Sequence, residues 1–234
     1  MPFGFFYVDY LYLILVLPAI ILALFAQWNV SQTFRKYSSV PTRPGMTGAE
    51  AARLVLDRHG LRHVRIEEVG GNLTDHFDPR SNVIRLSTAV FRGNNAAAVG
   101  VAAHEAGHAV QYANGYLPMK IRSAIIPATN IGSNLALPLI LLGILFSIPT
   151  IAYIGVLAFA LSTVFQLVTL PVEFNASRRA MVAIGECGRF REEEQRAARK
   201  VLSAAAMTYL AALAVSLANL LRLLVIAGGS RRRN

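Results

Sequence analysis

Residues 10–28 read YLYLILVLPAIILALFAQW. This uncharged run is long enough to cross a hydrocarbon core as a helix, which takes about 20 residues. No Lys or Arg precedes it, and the large residues Phe25, Gln27 and Trp28 close it. A secretory signal would carry a basic start, a shorter apolar stretch and a small-residue cleavage site. The segment is therefore expected to be a retained anchor, with Tyr10, Tyr12 and Trp28 near the two interfaces.

Three further apolar blocks follow: Asn134–Ser147, Ile151–Leu170, set apart by Pro149, and roughly Ala204–Ala227. The second is short for a span unless Ile131 to Asn134 joins it. Arg222 in the fourth is tolerable near a helix end, where its stem can snorkel. Composition agrees with a bilayer as part of the solvent. Apolar residues make up 54% of the chain and charged residues 15%, against about 25% in soluble domains. Mean hydropathy is +0.45.

The net charge of +10 alone would admit nucleic acid or an anionic membrane surface. Aromatic residues do not interleave with the basic clusters, so nucleic acid is not expected as a partner. Of the 23 Lys and Arg, twelve fall between Arg35 and Arg122 and seven between Arg178 and Lys200. With four spans these two polar regions share one side, which the positive-inside rule makes cytoplasmic. The terminal Arg231-Arg232-Arg233 runs against that rule. Cys187 is the lone cysteine, which excludes an internal disulfide and a cysteine-rich zinc site.

The expected fold is mainly α, a polytopic membrane protein with about four transmembrane helices and a small cytoplasmic α+β catalytic region. Its expected parts are an anchor (1–28), a catalytic region (29–122), two spans (123–170), a polar helical segment (171–203) and a last span with a basic tail (204–234). Within the catalytic region Pro41, Pro44 and Gly45 mark a loop. Thr47 to Glu50 has capping-box spacing, opening a helix that should end at Gly60. Gly70-Gly71 is a turn. Asn72–Phe77 and Val83–Ser87 read as two strands about the turn Asp78 to Asn82. Either strand would suit an extended substrate by strand addition; an ordinary hairpin explains them equally well. A helix from Asn94 or Asn95 to Tyr112 is closed by Asn114-Gly115.

That last helix carries His104-Glu105-Ala106-Gly107-His108. Positions i and i+4 share a helix face, so both imidazoles can meet one zinc ion while Glu105 takes a proton from the attacking water. A catalytic zinc needs a third protein ligand. His59 and His63 are expected at the surface. Glu173, just after Pro171, is the better candidate, although a helix N-terminal charge favoured by the macrodipole explains it equally well. Glu192-Glu193-Glu194 precedes Arg196, Arg199 and Lys200 at helical spacing, as expected of ion pairs on a solvated face. Asp75 and Asp78 are expected to serve turn chemistry and not a second metal.

Several pieces together resemble the YugP family of bacterial membrane zinc metallopeptidases, relatives in design of the HtpX-type gluzincins. They are the first span, residues 73–80 (LTDHFDPR), Val83–Ser87, the His104–His108 motif, residues 171–180 (PVEFNASRRA) and Met207-Thr208-Tyr209. The resemblance implies Glu173 as third ligand, one zinc ion, and hydrolysis of peptide bonds in a protein or peptide substrate. It further implies a multi-pass protein of the bacterial inner membrane and, by analogy of fold, membrane-protein quality control. Asn175 departs from the aspartate expected in the family, and Ser177 stands where HtpX-type enzymes carry an aspartate. A hydrogen bond from Ser177 to a ligand histidine is expected. Arg178, Arg179 and His76 are candidates for stabilising the oxyanion.

Two rivals differ in kind. A site-2-type intramembrane protease would want an aspartate ligand within a span, and the third and fourth blocks hold no acid. A non-catalytic metal-binding adaptor would not require Glu105. Nothing in the sequence specifies a homo-oligomer or a membrane-protein partner.

Overall fold

The computed structural model describes residues 9–43 and 45–231. Pro44 of the expected loop and Arg232-Arg233 of the basic tail lie outside the described residues. Helices dominate, and one small sheet accompanies them. The elements are α1 (Leu17–Tyr37, preceded by a π-wound stretch Tyr12–Val16), α2 (Gly48–Arg58), β1 (Arg65–Val69), β2 (His76–Asp78), β3 (Val83–Ser87), α3 (Thr88–Phe91), α4 (Ala96–Ala113), α5 (Leu117–Leu145), α6 (Pro149–Glu186) and α7 (Glu192–Arg231). The chain divides into two compact units.

One unit comprises Met1–Ala26, Ile121–Leu170 and Thr208–Asn234. Among the described residues, four helices are long and apolar enough to cross a membrane: Tyr12–Tyr37, Leu117–Leu145, Pro149–Glu186 and Glu192–Gly228. Their large apolar side chains mostly face outward; Leu145 is 70% exposed and Leu157 69%. Such surface suits a lipid surround. Small residues let these helices approach. A methyl on Gly155 would come within 2.8 Å of the Ala136 carbonyl oxygen, and one on Gly143 would meet Ala152, the packing expected where lipid removes the hydrophobic drive. Hydroxyl pairs join them as well: Ser133 with Ser162, and Thr163 with Ser216, both at 2.8 Å. Arg222 donates to the Asp9 carboxylate at 2.8 Å, so its charge is paired.

All four helices run further than their apolar blocks: α1 continues past Trp28 to Tyr37, and α7 begins at Glu192. α5 begins at Leu117, taking in Lys120 and Arg122, so the short second block is only the apolar part of a longer helix. α6 passes through Pro171 to Glu186. Proline removes one backbone N–H bond, which a helix of 38 residues survives. Glu173 therefore lies deep inside a helix, and the macrodipole explanation for it falls away.

The other unit, Gln27–Lys120 and Pro171–Met207, holds the main core: Val55 and Leu56 of α2, Ile84 and Leu86 of β3, Ala102, Ala106 and Val110 of α4, Val172, Ala180 and Ile184 of α6, and Leu202 of α7. α2 is capped as its sequence requires. The Thr47 side chain accepts from the Glu50 N–H, and the Glu50 carboxylate accepts from the Thr47 N–H at 2.7 Å. His59 caps its end, and Gly60 follows at φ +72°.

The sheet contains the expected hairpin, as β2 and β3, and one strand more. Its order is β1-β3-β2. β1 runs parallel to β3 (Ile66↔Ile84), and β2 antiparallel to it (Phe77↔Ile84). β1 is an unforeseen strand: RIEEV has two apolar residues at an odd separation, so no period of two is visible. The strand expected from Asn72 forms only from His76, because Leu73 takes φ +58°, outside the extended region. β3 is central, with both edges paired, so substrate cannot add there. The glutamate run is also corrected. Glu194 is 2% exposed and accepts from the Arg43 and Arg191 backbone N–H groups, while Glu192 alone faces Arg196, at 3.7 Å.

Candidate metal centre

α4 starts where the Asn95 side chain accepts from the Ala98 N–H at 3.0 Å, and it ends at Asn114 with Gly115 in the left-handed region. Alanine, glycine and valine fill it, so neighbouring helices come close. Gly100 faces Ala198 of α7, and a methyl on Gly107 would lie 2.6 Å from the Ala176 carbonyl oxygen of α6. Gly107, inside the HExxH motif, thus sets how near α6 can approach. Gly107→Ala is expected to push the two helices apart, cost about 1–3 kcal/mol of stability and weaken metal retention. Thermal unfolding and zinc content of the purified variant would read both; an unchanged protein would contradict this packing.

The close approach brings Glu173 to the two histidines. Its Oε2 lies 3.2 Å from His104 Nε2 and 3.5 Å from His108 Nε2. The imidazole rings stand edge to face, 4.6 Å between centroids. Among the described residues this is the one group of three potential ligands, with all ligand atoms within 4.8 Å of one another. A tetrahedral zinc with bonds of about 2.0–2.1 Å has ligand atoms about 3.3–3.4 Å apart, so the two separations suit a shared ion. The electrostatics suit a cation as well. Burial works against a charged His108 ring, but the hydrogen bond it donates to Glu173 and the fields of Glu105 and Glu173 prevail, and its pKa is held above the ordinary histidine value.

The far nitrogens of both rings are held too. His104 Nδ1 lies 3.0 Å from Ser177 Oγ, and His108 Nδ1 lies 3.0 Å from Gln111 Oε1. The first contact was expected from the sequence; the second involves a residue that sequence reasoning passed over. Gln111 is the lone amide in a helix rich in small apolar residues, three positions after His108, and that pattern was the available signal. Asn175 was noticed only as a departure from pattern; its Oδ1 accepts from Gln111 Nε2 at 3.0 Å and from Arg179 Nε at 2.7 Å. Glu105 is 9% exposed.

The remaining candidates are not among the three potential ligands. His76 is exposed on β2, with Nδ1 2.7 Å from the Thr74 carbonyl oxygen. Arg178 and Arg179 line a cleft of about 460 Å³ with Arg58, His59, Asn175 and Glu186. His59 and His63 are exposed, as expected. Asp78 accepts from the Arg80 N–H, from Ser81 and from Arg85, and Asp75 accepts from the Ser87 N–H and hydroxyl; both serve turn and strand structure.

Comparison with known proteins agrees with this geometry. A family model described as "Putative neutral zinc metallopeptidase" matches residues 12–228. The chain is 44% identical over 224 residues to the "Putative membrane protease YugP" of Bacillus subtilis (strain 168), covering 96% of this chain and 100% of the relative. No solved structure matches it. The match spans the apolar helices and the His–His–Glu cluster alike, and the chain belongs to this family of membrane-bound zinc metallopeptidases.

Proposed function

We propose that the chain hydrolyses peptide bonds at a single zinc held by His104, His108 and Glu173, with Glu105 as general base, in the HExxH-plus-Glu manner of gluzincins. The observation that carries this reading is the convergence of two Nε2 atoms on one carboxylate oxygen at tetrahedral-edge distances. A zinc ion bound there would lower the pKa of a coordinated water towards about 7 and polarise the scissile carbonyl. Glu105, next to His104 on α4, accepts the proton of the attacking water and delivers it to the leaving amine. Ser177 holds His104 by its Nδ1. The electrophile that assists at the oxyanion is drawn from Arg178, Arg179 and His76.

Chelation of the detergent-purified protein tests this. Cleavage of an unfolded protein substrate is expected to disappear on zinc removal and to return on adding zinc. Cleavage that survives complete zinc removal would end the assignment.

The catalytic unit faces the cytoplasm of a bacterial inner membrane in this reading, because nineteen of the 23 basic residues flank the spans on that side. By analogy of fold, its substrates belong to membrane-protein quality control in this reading. Cys187, the lone cysteine, lies in this unit and is half-buried. A membrane-impermeant thiol reagent is expected to label it only after the cells are permeabilised; labelling of intact cells would reverse the orientation.

A further inference from the structure

Gln111 is 0% exposed, and a buried amide is costly unless its polar atoms are paired. All its contacts lie about the metal ligands. Nε2 donates to the Val172 carbonyl oxygen at 2.8 Å and to Asn175 Oδ1 at 3.0 Å, while Oε1 faces His108 Nδ1 at 3.0 Å. A backbone carbonyl can only accept, so the NH2 of Gln111 must point to Val172 and its oxygen must point to His108. In the neutral ring that a metal would bind, the hydrogen on His108 must then sit on Nδ1, leaving the Nε2 lone pair directed at the Glu173 side, 3.5 Å from its carboxylate. The other end is equally determined. Arg179 Nε can only donate, so the Asn175 oxygen must face it at 2.7 Å and accepts from Gln111 as well. A carbonyl at one end and a guanidinium at the other leave each link a single polarity.

We propose that Gln111, Asn175 and Arg179 are positioning residues that fix the tautomer and ring plane of His108 for the metal. This rests on the His104–His108–Glu173 zinc reading. The chain joins two helices: Gln111 extends from α4, and Val172, Asn175 and Arg179 belong to α6. The α6 segment that supplies Glu173 therefore also orients one of the histidines opposite it. An apolar side chain would fill the Gln111 site, but it would leave Nδ1–H buried without an acceptor and the ring free to turn. Only the oxygen of Asn175 is used in the chain, so aspartate would serve there where leucine would not.

The test uses the full-length protein in detergent, with Gln111→Leu, Asn175→Leu and Asn175→Asp. Zinc affinity is read by competition with a chromophoric chelator, and ligand geometry by the visible spectrum of the Co2+-substituted protein. Gln111→Leu is expected to lower zinc affinity about 10–100-fold, as loss of a ligand-orienting partner does, and to shift the Co2+ bands. Asn175→Leu is expected to move both readouts in the same direction by less, and Asn175→Asp to restore most of the difference. A folded Gln111→Leu with the parent's affinity and spectrum overturns the proposal. If that variant does not fold, the Asn175 pair decides: identical leucine and aspartate variants overturn it. A parent protein that binds no zinc would instead bring down the metal reading beneath it.

Discussion

Glu105→Gln is expected to abolish peptide cleavage while leaving zinc in place. Glutamine keeps the volume of a 9%-exposed side chain, so packing in α4 is preserved. The three proposed ligand side chains are untouched, so the metal content should match the parent. What is lost is a carboxylate able to take and return a proton, and a positioned general acid–base group contributes about 10²–10⁴-fold in rate. A fall of that size in kcat/KM with an unchanged KM is the expected signature, because the missing interaction belongs to the transition state. Cleavage at the parental rate would remove Glu105 from the chemistry and revive the adaptor reading.

Glu173→Ala is expected to lose the zinc itself. Glu173 is 4% exposed and stands within 3.5 Å of both imidazoles. In the proposed site it contributes one of three ligands and also the negative charge that would make the pocket favourable to a cation. Removing a mere partner of a ligand costs about 10–100-fold in affinity, so removing a ligand is expected to exceed about 100-fold. Elemental analysis after dialysis should find the variant far below one zinc per chain and inactive. The fold should survive, since Val172, Ala176 and Ala180, which anchor this part of α6 in the core, are unchanged. Full zinc occupancy in the variant would mean that another residue completes the site.

The sequence disclosed some parts of this molecule and hid others, for physical reasons. The helix bearing the histidines was legible at both ends, because Asn95 supplies a side-chain cap and Asn114-Gly115 a left-handed stop, signals that depend on local geometry alone. The four apolar blocks were legible because lipid imposes a length and a composition. The true extents of α5 and α6 were not, since helices that leave the bilayer continue with polar residues and α6 tolerates Pro171 within it. β1 was hidden because a half-exposed strand beside a central one needs few apolar residues, and RIEEV has only Ile66 and Val69. Glu194 looked like part of a solvated run, yet the backbone N–H groups of Arg43 and Arg191 draw it inward. Of the cluster, His104, Glu105 and His108 declared themselves by spacing. Glu173 did not: the residues alone left it balanced against a helix-end charge, and the resemblance was needed to favour it. The approach of α6 to Gly107 puts its carboxylate beside both rings, a contact across 65 residues of chain between His108 and Glu173 that no local pattern encodes.

X-ray absorption at the zinc edge of the purified, active protein tests the shared ion most directly. A first shell of about four nitrogen or oxygen atoms near 2.0–2.1 Å, with outer-shell scattering from two imidazoles, is the expected spectrum, and Glu173→Ala should change it. A spectrum showing one imidazole or none, or one that Glu173→Ala leaves unaltered, would contradict the account.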